Sequence, residues 1–142
     1  MKSVSENGHH LIVLERGEEV IGTLTEYCER SRLTHAFFQG LGAVEEAEVG
    51  FYRLNSKSYD FKILPETHEV ASLLGNITLV EGKPFVHAHV VLSRADDSLS
   101  CVGGHLKEAR VAVTFEVHLT TFAVSVERKL DDAIRLRLID AR

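Results

Sequence analysis

The stretch Pro84-Phe85-Val86-His87-Ala88-His89-Val90-Val91-Leu92-Ser93 alternates with a period of two: Val86, Ala88, Val90 and Leu92 fall on one side of an extended chain, and Phe85, His87, His89 and Ser93 on the other. That pattern suits a half-buried β-strand and places two imidazoles on one face. Arg94-Ala95-Asp96-Asp97-Ser98 is turn chemistry, after which Leu99 to Leu106 can return as the partner of a hairpin. With Ser93 set opposite Leu99, five residues form the loop, His105 lies opposite His87, and Gly103, with no side chain to obstruct, lies opposite His89. Opposite Cβ atoms in an antiparallel pair are about 5 Å apart and diagonal ones about 7–8 Å, so the three rings can converge on one ion. The expectation depends on register, because a slip of one residue sends the ring of His105 to the other face. A bulge at Gly103-Gly104 would also change the count, and three surface histidines that never meet are the alternative.

The rest of the chain reads mainly as strands. His9 to Leu14 is expected to be the first, and Glu15-Arg16-Gly17 turns it into a helix. That helix carries Glu18 and Glu19 in its first turn, with Val20/Ile21, Leu24, Tyr27/Cys28 and Ser31 at helical spacing. His35 to Gln39 is a second strand, Gly40-Leu41-Gly42-Ala43-Val44 a bend, and Ala47 to Leu54 a third strand. Asn55 to Ser58 is a turn, Tyr59 to Leu64 a strand closed by Pro65, and Glu81-Gly82-Lys83-Pro84 the turn that leads into the histidine strand. From Glu69 to Val80 apolar residues occupy both parities, which suggests a strand covered on both sides, within the domain or by a neighbouring subunit. Val111 to Val126 changes phase beyond Thr120, so a bulge or break is expected near Thr120-Thr121. After a charged stretch at Glu127–Asp132, Ile134, Leu136 and Leu138 alternate in a short terminal strand. One N-terminal helix and about eight strands make an α+β domain built on antiparallel sheet, with residues 1–142 as a single domain.

Composition narrows the partners. Sixteen Lys plus Arg against 21 Asp plus Glu give a formal charge of −5, so binding to a polyanion would work against the field of the whole molecule. Leu11 to Leu14 is too short an apolar run for a signal peptide or membrane span, and the expectation is a cytoplasmic protein with no membrane partner. Cys28 and Cys101 have neither zinc-finger nor redox spacing and are read as reduced.

A divalent metal at His87, His89 and His105 is therefore the chemistry to look for, since imidazole suits Zn, Cu, Fe and Ni and three protein ligands leave a position open. Cys101, Glu69 and water are the candidates for a fourth ligand, and Glu69, flanking the two-faced strand with Asn76, is a candidate general base. His118 is assigned with Thr114 and Glu116 to a solvated or subunit-facing surface, His35 and His68 to polar strand edges, and His9 and His10 to a mobile end. The glycines of Gly40–Gly42 match neither a Walker motif nor a dinucleotide fingerprint, and no Ser/His/Asp or Cys/His set can be assembled.

Several motifs occur in one order: Gly40-Leu41-Gly42-Ala43-Val44, Leu73-Leu74-Gly75-Asn76-Ile77, Gly82-Lys83-Pro84-Phe85-Val86-His87-Ala88-His89, Gly103-Gly104-His105-Leu106 and Glu127-Arg128-Lys129-Leu130-Asp131. Together they resemble the plants and prokaryotes conserved domain (PPC domain) over nearly the whole chain. The resemblance implies an α+β, mainly antiparallel fold assembled as a homotrimer, and a metal, commonly zinc, at the matching His87, His89 and His105. It leaves the activity open among a metal-dependent enzyme using activated water on a small substrate, a module binding a small ligand near the metal or a partner protein, and a DNA-associated regulator. Plant members join the domain to an Arg-Gly-Arg-Pro element that enters the minor groove, which this chain lacks, so DNA is disfavoured. Where members often carry an arginine in the first strand, this chain has Val13.

Overall fold

The computed structural model of the chain describes residues 1–140. Its elements are β1 (Lys2–Glu6), β2 (His9–Glu15), α1 (Val20–Arg30), β3 (Ala36–Arg53), β4 (Ser58–Leu64), β5 (His68–Val80), β6 (Lys83–Arg94), β7 (Cys101–Thr121), β8 (Glu127–Asp131) and β9 (Leu136–Asp140). Two connections show how local sequence sets the pairing. Asn7-Gly8 joins β1 to β2 and Glu81-Gly82 joins β5 to β6, with φ of 50°, 81°, 54° and 76°. Positive φ at both central residues gives a turn whose twist matches that of the flanking strands, so each hairpin closes in two residues.

All the strands belong to one sheet, and every pairing is antiparallel except the short parallel one between β5 and β8 at Leu79 and Glu127. Strand β3 pairs with β5 and β7, and β6 pairs with the same two, so these four strands form a closed circuit. Closure requires β3 and β7 to bend, and the register shifts at Gly40/Gly42 and between Gly42 and Val49 mark where they do. The inside is filled by Phe38, Phe115, Ile12, Leu73, Ile77, Leu92 and Leu119, all essentially inaccessible to solvent. Each such side chain contributes about 1.5–3 kcal/mol of burial. Helix α1 packs Val20, Leu24, Tyr27 and Cys28 into the same core, next to β6 and β7. At Gly75 a Cβ would run into the Phe38 ring and sit 2.5 Å from the His87 carbonyl, so this glycine lets the core ring reach the backbone of the histidine strand.

This is the α+β, mainly antiparallel architecture expected, with one helix among the described residues. Several local readings need correction. A strand, β1, precedes the one expected to be first, and the Gly40–Val44 bend does not interrupt β3, because a bulge turns a strand without ending its ladder. Glu18 and Glu19 lie before the helix. Glu19 is its N-cap, and its carboxylate accepts from the backbone N–H of Ile21 (3.0 Å) and of Gly22. The mixed parity of β5 has a local cause: a register shift between Val70 and Ser72 moves the buried set from Val70 to Leu73, Ile77 and Leu79, while Leu74 stays 49% exposed. The phase change after Thr120 is a true break, since β7 ends at Thr121 and Phe122 and Val124 are exposed. The charged stretch after it forms β8, paired with β9.

Candidate metal centre

On β6 the burial of Val86, Ala88, Val90 and Leu92 turns His87 and His89 to the outer face of the sheet. Strand β7 returns alongside and sets His105 opposite His89. The ring centroids are 5.2 Å (His87 to His89), 5.2 Å (His87 to His105) and 5.6 Å (His89 to His105) apart. One ring nitrogen from each histidine lies within 4.8 Å of the others, and no other group of three or more His, Cys, Asp or Glu converges in this way among the described residues. These three nitrogens are the donors that would hold a divalent ion.

The register differs from the sequence expectation by two residues. Ser93 faces Cys101, not Leu99, and His105 faces His89, not His87. The cause is the loop. Asp96 accepts from the Ser98 backbone N–H (3.0 Å) and from Arg94 Nε (2.7 Å), Leu99 takes a φ of 48°, and the Arg94 N–H donates to the Ser100 carbonyl at 2.9 Å. The loop is thereby longer than drawn. A slip of two preserves the face, so His105 still meets the pair, diagonal to His87.

The surroundings dry one side of the cluster. Gly50 of β3 sits in register between Phe61 of β4 and His105 of β7. With no side chain at Gly50, the rings of Tyr59 and Phe61 reach over it to centroid distances of 4.9 and 6.3 Å from His105. Nδ1 of His105 is buried without a hydrogen-bond partner. An orphaned acceptor or donor of this kind is costly unless something fills its place. Burial pushes His87 down to about 4, with Arg128, His105 and His89 adding to the effect, and burial likewise lowers His105, helped by His89 and Arg128. Both shifts favour the neutral imidazole, the form that can bind a metal. The donor set fits a borderline divalent cation with one coordination position left for something else.

Sequence reasoning missed the residue that walls the other side. Arg128 of β8 is only 8% exposed. Its Nε donates to Thr78 Oγ1 (2.7 Å), Nη1 to the Arg137 carbonyl (3.0 Å) and Nη2 to Asn76 Oδ1 (2.9 Å), with Nη2 3.3 Å from His87 Nδ1. The guanidinium also lies over Phe85, 5.3 Å from its centroid. Apolar periodicity could not flag it, since β8 shows none, but its place in the ordered motifs could have. Asn76, read from the sequence only as flanking β5 with Glu69, lies opposite His87 in register and holds Arg128 beside it.

The other candidates lie elsewhere. Glu69 is exposed and faces Ser93, and Cys101 is exposed with its thiol donating to the Leu99 carbonyl at 3.6 Å, so neither joins the cluster. His68 opens β5, at the strand terminus expected, but it is buried there. It is 2% exposed, with Nδ1 2.8 Å from the Glu66 carbonyl. His35 stacks on Phe122 at 4.8 Å, and its buried Nδ1 has no partner. His10 belongs to β2 and meets the Tyr27 hydroxyl at 2.8 Å, while His9 and His118 are exposed. Among the described residues no helix is long and apolar enough to cross a membrane.

Comparison with known proteins agrees with this architecture. A model of the Plants and Prokaryotes Conserved (PCC) domain matches residues 1–123. Among solved structures, a candidate DNA-binding protein of Ralstonia eutropha JMP134 is 29% identical, with 99% of this chain and 96% of that one covered and a TM-score of 0.91. A plant- and prokaryote-conserved protein of Pyrococcus horikoshii is 27% identical over 99% and 95% of the two chains, TM-score 0.85. A metal-containing protein of Archaeoglobus fulgidus is 32% identical over 92% and 91%, TM-score 0.83. No curated protein matches the chain.

Proposed function

Because the chain belongs to the plants and prokaryotes conserved domain family, we propose that residues 1–142 form a single domain of that family, a homotrimer that binds one divalent metal, zinc by preference, at His87, His89 and His105. The convergence of three ring nitrogens within 4.8 Å is the observation that carries this reading. The unpartnered Nδ1 of His105 and the metal-containing relative support it. Self-association is supported by the outer face of β3 and β5, where Phe37 (46% exposed) and Leu74 (49%) lie on a diagonal across the two strands and Leu74 lies opposite His89, so that exposed apolar side chains border the site. Bound there, zinc would supply Lewis-acid chemistry at its open position, and a catalytic role toward a small substrate rests on that position alone. DNA is not the proposed ligand: the charge of −5 opposes it, although solved relatives carry that name.

The test is elemental analysis and native mass spectrometry of the purified chain after dialysis against zinc. The expected result is about one ion per chain in a trimer, with His87→Ala losing the ion and keeping the trimer. A metal-free wild type, or a His87→Ala variant that retains its ion, rejects the site. A monomer rejects the assembly.

A further inference from the structure

The charge balance around the three histidines is one-sided. Arg128 is a permanent cation at 8% exposure, and no carboxylate pairs with it among the described residues. Its acceptors are a hydroxyl, a carbonyl and an amide oxygen, which satisfy hydrogen bonds but carry no net charge. The other nearby cations of the C-terminal hairpin take other partners, Arg137 with Glu81 and Lys129 with Asp140. On the opposite wall Asp60 is held by Arg53. Three neutral imidazoles add no negative charge, so a divalent cation would leave the site strongly positive. An uncompensated buried charge costs several kcal/mol, at an order-of-magnitude level, unless something of opposite sign is bound. One N–H of Nη1 has no acceptor among the described residues, and the contact of Nη2 to His87 is long at 3.3 Å.

Resting on the metal reading above, we infer that the site takes a small oxyanion, a carboxylate above all, at the open coordination position, with the Arg128 guanidinium as its charge partner. The planar fork of a guanidinium matches a planar carboxylate better than it matches a neutral ligand. Arg128 is thus a specificity residue of the site: Thr78, Asn76 and the Arg137 carbonyl fix its orientation, and the terminal β8–β9 hairpin carries it there.

The experiment uses the full chain loaded with Co2+, whose visible absorption reports its coordination, titrated at constant ionic strength with acetate, its neutral isostere acetamide, and inorganic phosphate. Acetate is expected to change the spectrum saturably and acetamide to leave it unchanged. Arg128→Met is expected to weaken acetate binding about tenfold or more while Co2+ still binds. Arg128→Lys keeps the charge and the stem, and is expected to fall between; it carries the comparison if Arg128→Met does not fold. A chain that binds no Co2+ overturns the metal reading and this inference together. A Co2+-loaded chain that ignores acetate, or that binds acetate equally well in the folded Arg128 variants, overturns the inference alone, and a response to phosphate without one to acetate overturns the carboxylate assignment.

Discussion

The two ends of β7 each carry a histidine on the outside of the sheet, and they differ in what the neighbouring strands bring to them. At one end His105 faces His89, lies 5.2 Å from the His87 ring and is half-buried under Tyr59. At the other end His118 faces Leu11 and Gln39 and is exposed, and the adjacent His9 is occupied at 3.3 Å by Thr120 Oγ1. A groove of about 360 Å³ runs past His9, His10 and His118, yet His10 turns inward to Tyr27. Histidine density alone therefore does not make a site. Register, parity and a wall that excludes water do.

The largest expected effect tests that contrast directly. In the presence of zinc at a hundredfold excess over its dissociation constant, a single bound ion stabilises a chain by about 2.7 kcal/mol. The zinc-induced rise in Tm should vanish in His105→Ala and survive in His118→Ala. Loss of the shift in both variants would mean that the two ends of β7 are not distinct, and persistence in both would move the metal elsewhere.

A smaller effect is expected from the backbone that presents His105. A Cβ added at Gly104 would lie 2.5 Å from the Gly50 carbonyl oxygen and 3.2 Å from a Val49 methyl, so β7 and β3 must part at the point where His105 is anchored. Gly104→Ala should cost about 1–3 kcal/mol in denaturant unfolding and should also weaken zinc binding. Gln39→Ala, beside His118, should do neither. If Gly104→Ala unfolds normally and binds zinc as the wild type does, the close approach of the two strands does not position the site.

This contrast also explains what could be read from the chain. The alternation of Val86 to Leu92 was enough to put His87 and His89 outside, because burial on one face leaves no other choice. His105 was placed on the right face although its opposite residue was wrong, since the error of two residues is invisible to parity. The loop that caused the error depends on Asp96 capping its own turn, a side-chain detail with no periodic trace. The long course of β3 was hidden by glycines that normally punctuate, and here bend a strand inside a closed circuit. Arg128 was the least legible residue of the site: its neighbours Asn76 and Thr78 are about fifty positions away in sequence, and only the parallel contact of β8 with β5 brings them together.

The smallest effect concerns the cysteines, which separate the buried from the solvent side of the same fold. Burial pushes the Cys28 thiol up to about 12, with Glu29 adding to it, whereas Cys101 is exposed at the start of β7, its thiol donating to the Leu99 carbonyl. Iodoacetamide followed by mass spectrometry should modify Cys101 in the native chain and Cys28 only after unfolding, because the thiolate is the reacting form. If Cys101 lies outside the metal's ligands, adding zinc at one equivalent should leave its alkylation rate unchanged. Protection of Cys101 by zinc would make it a fourth ligand, and the open position on which the carboxylate depends would already be filled.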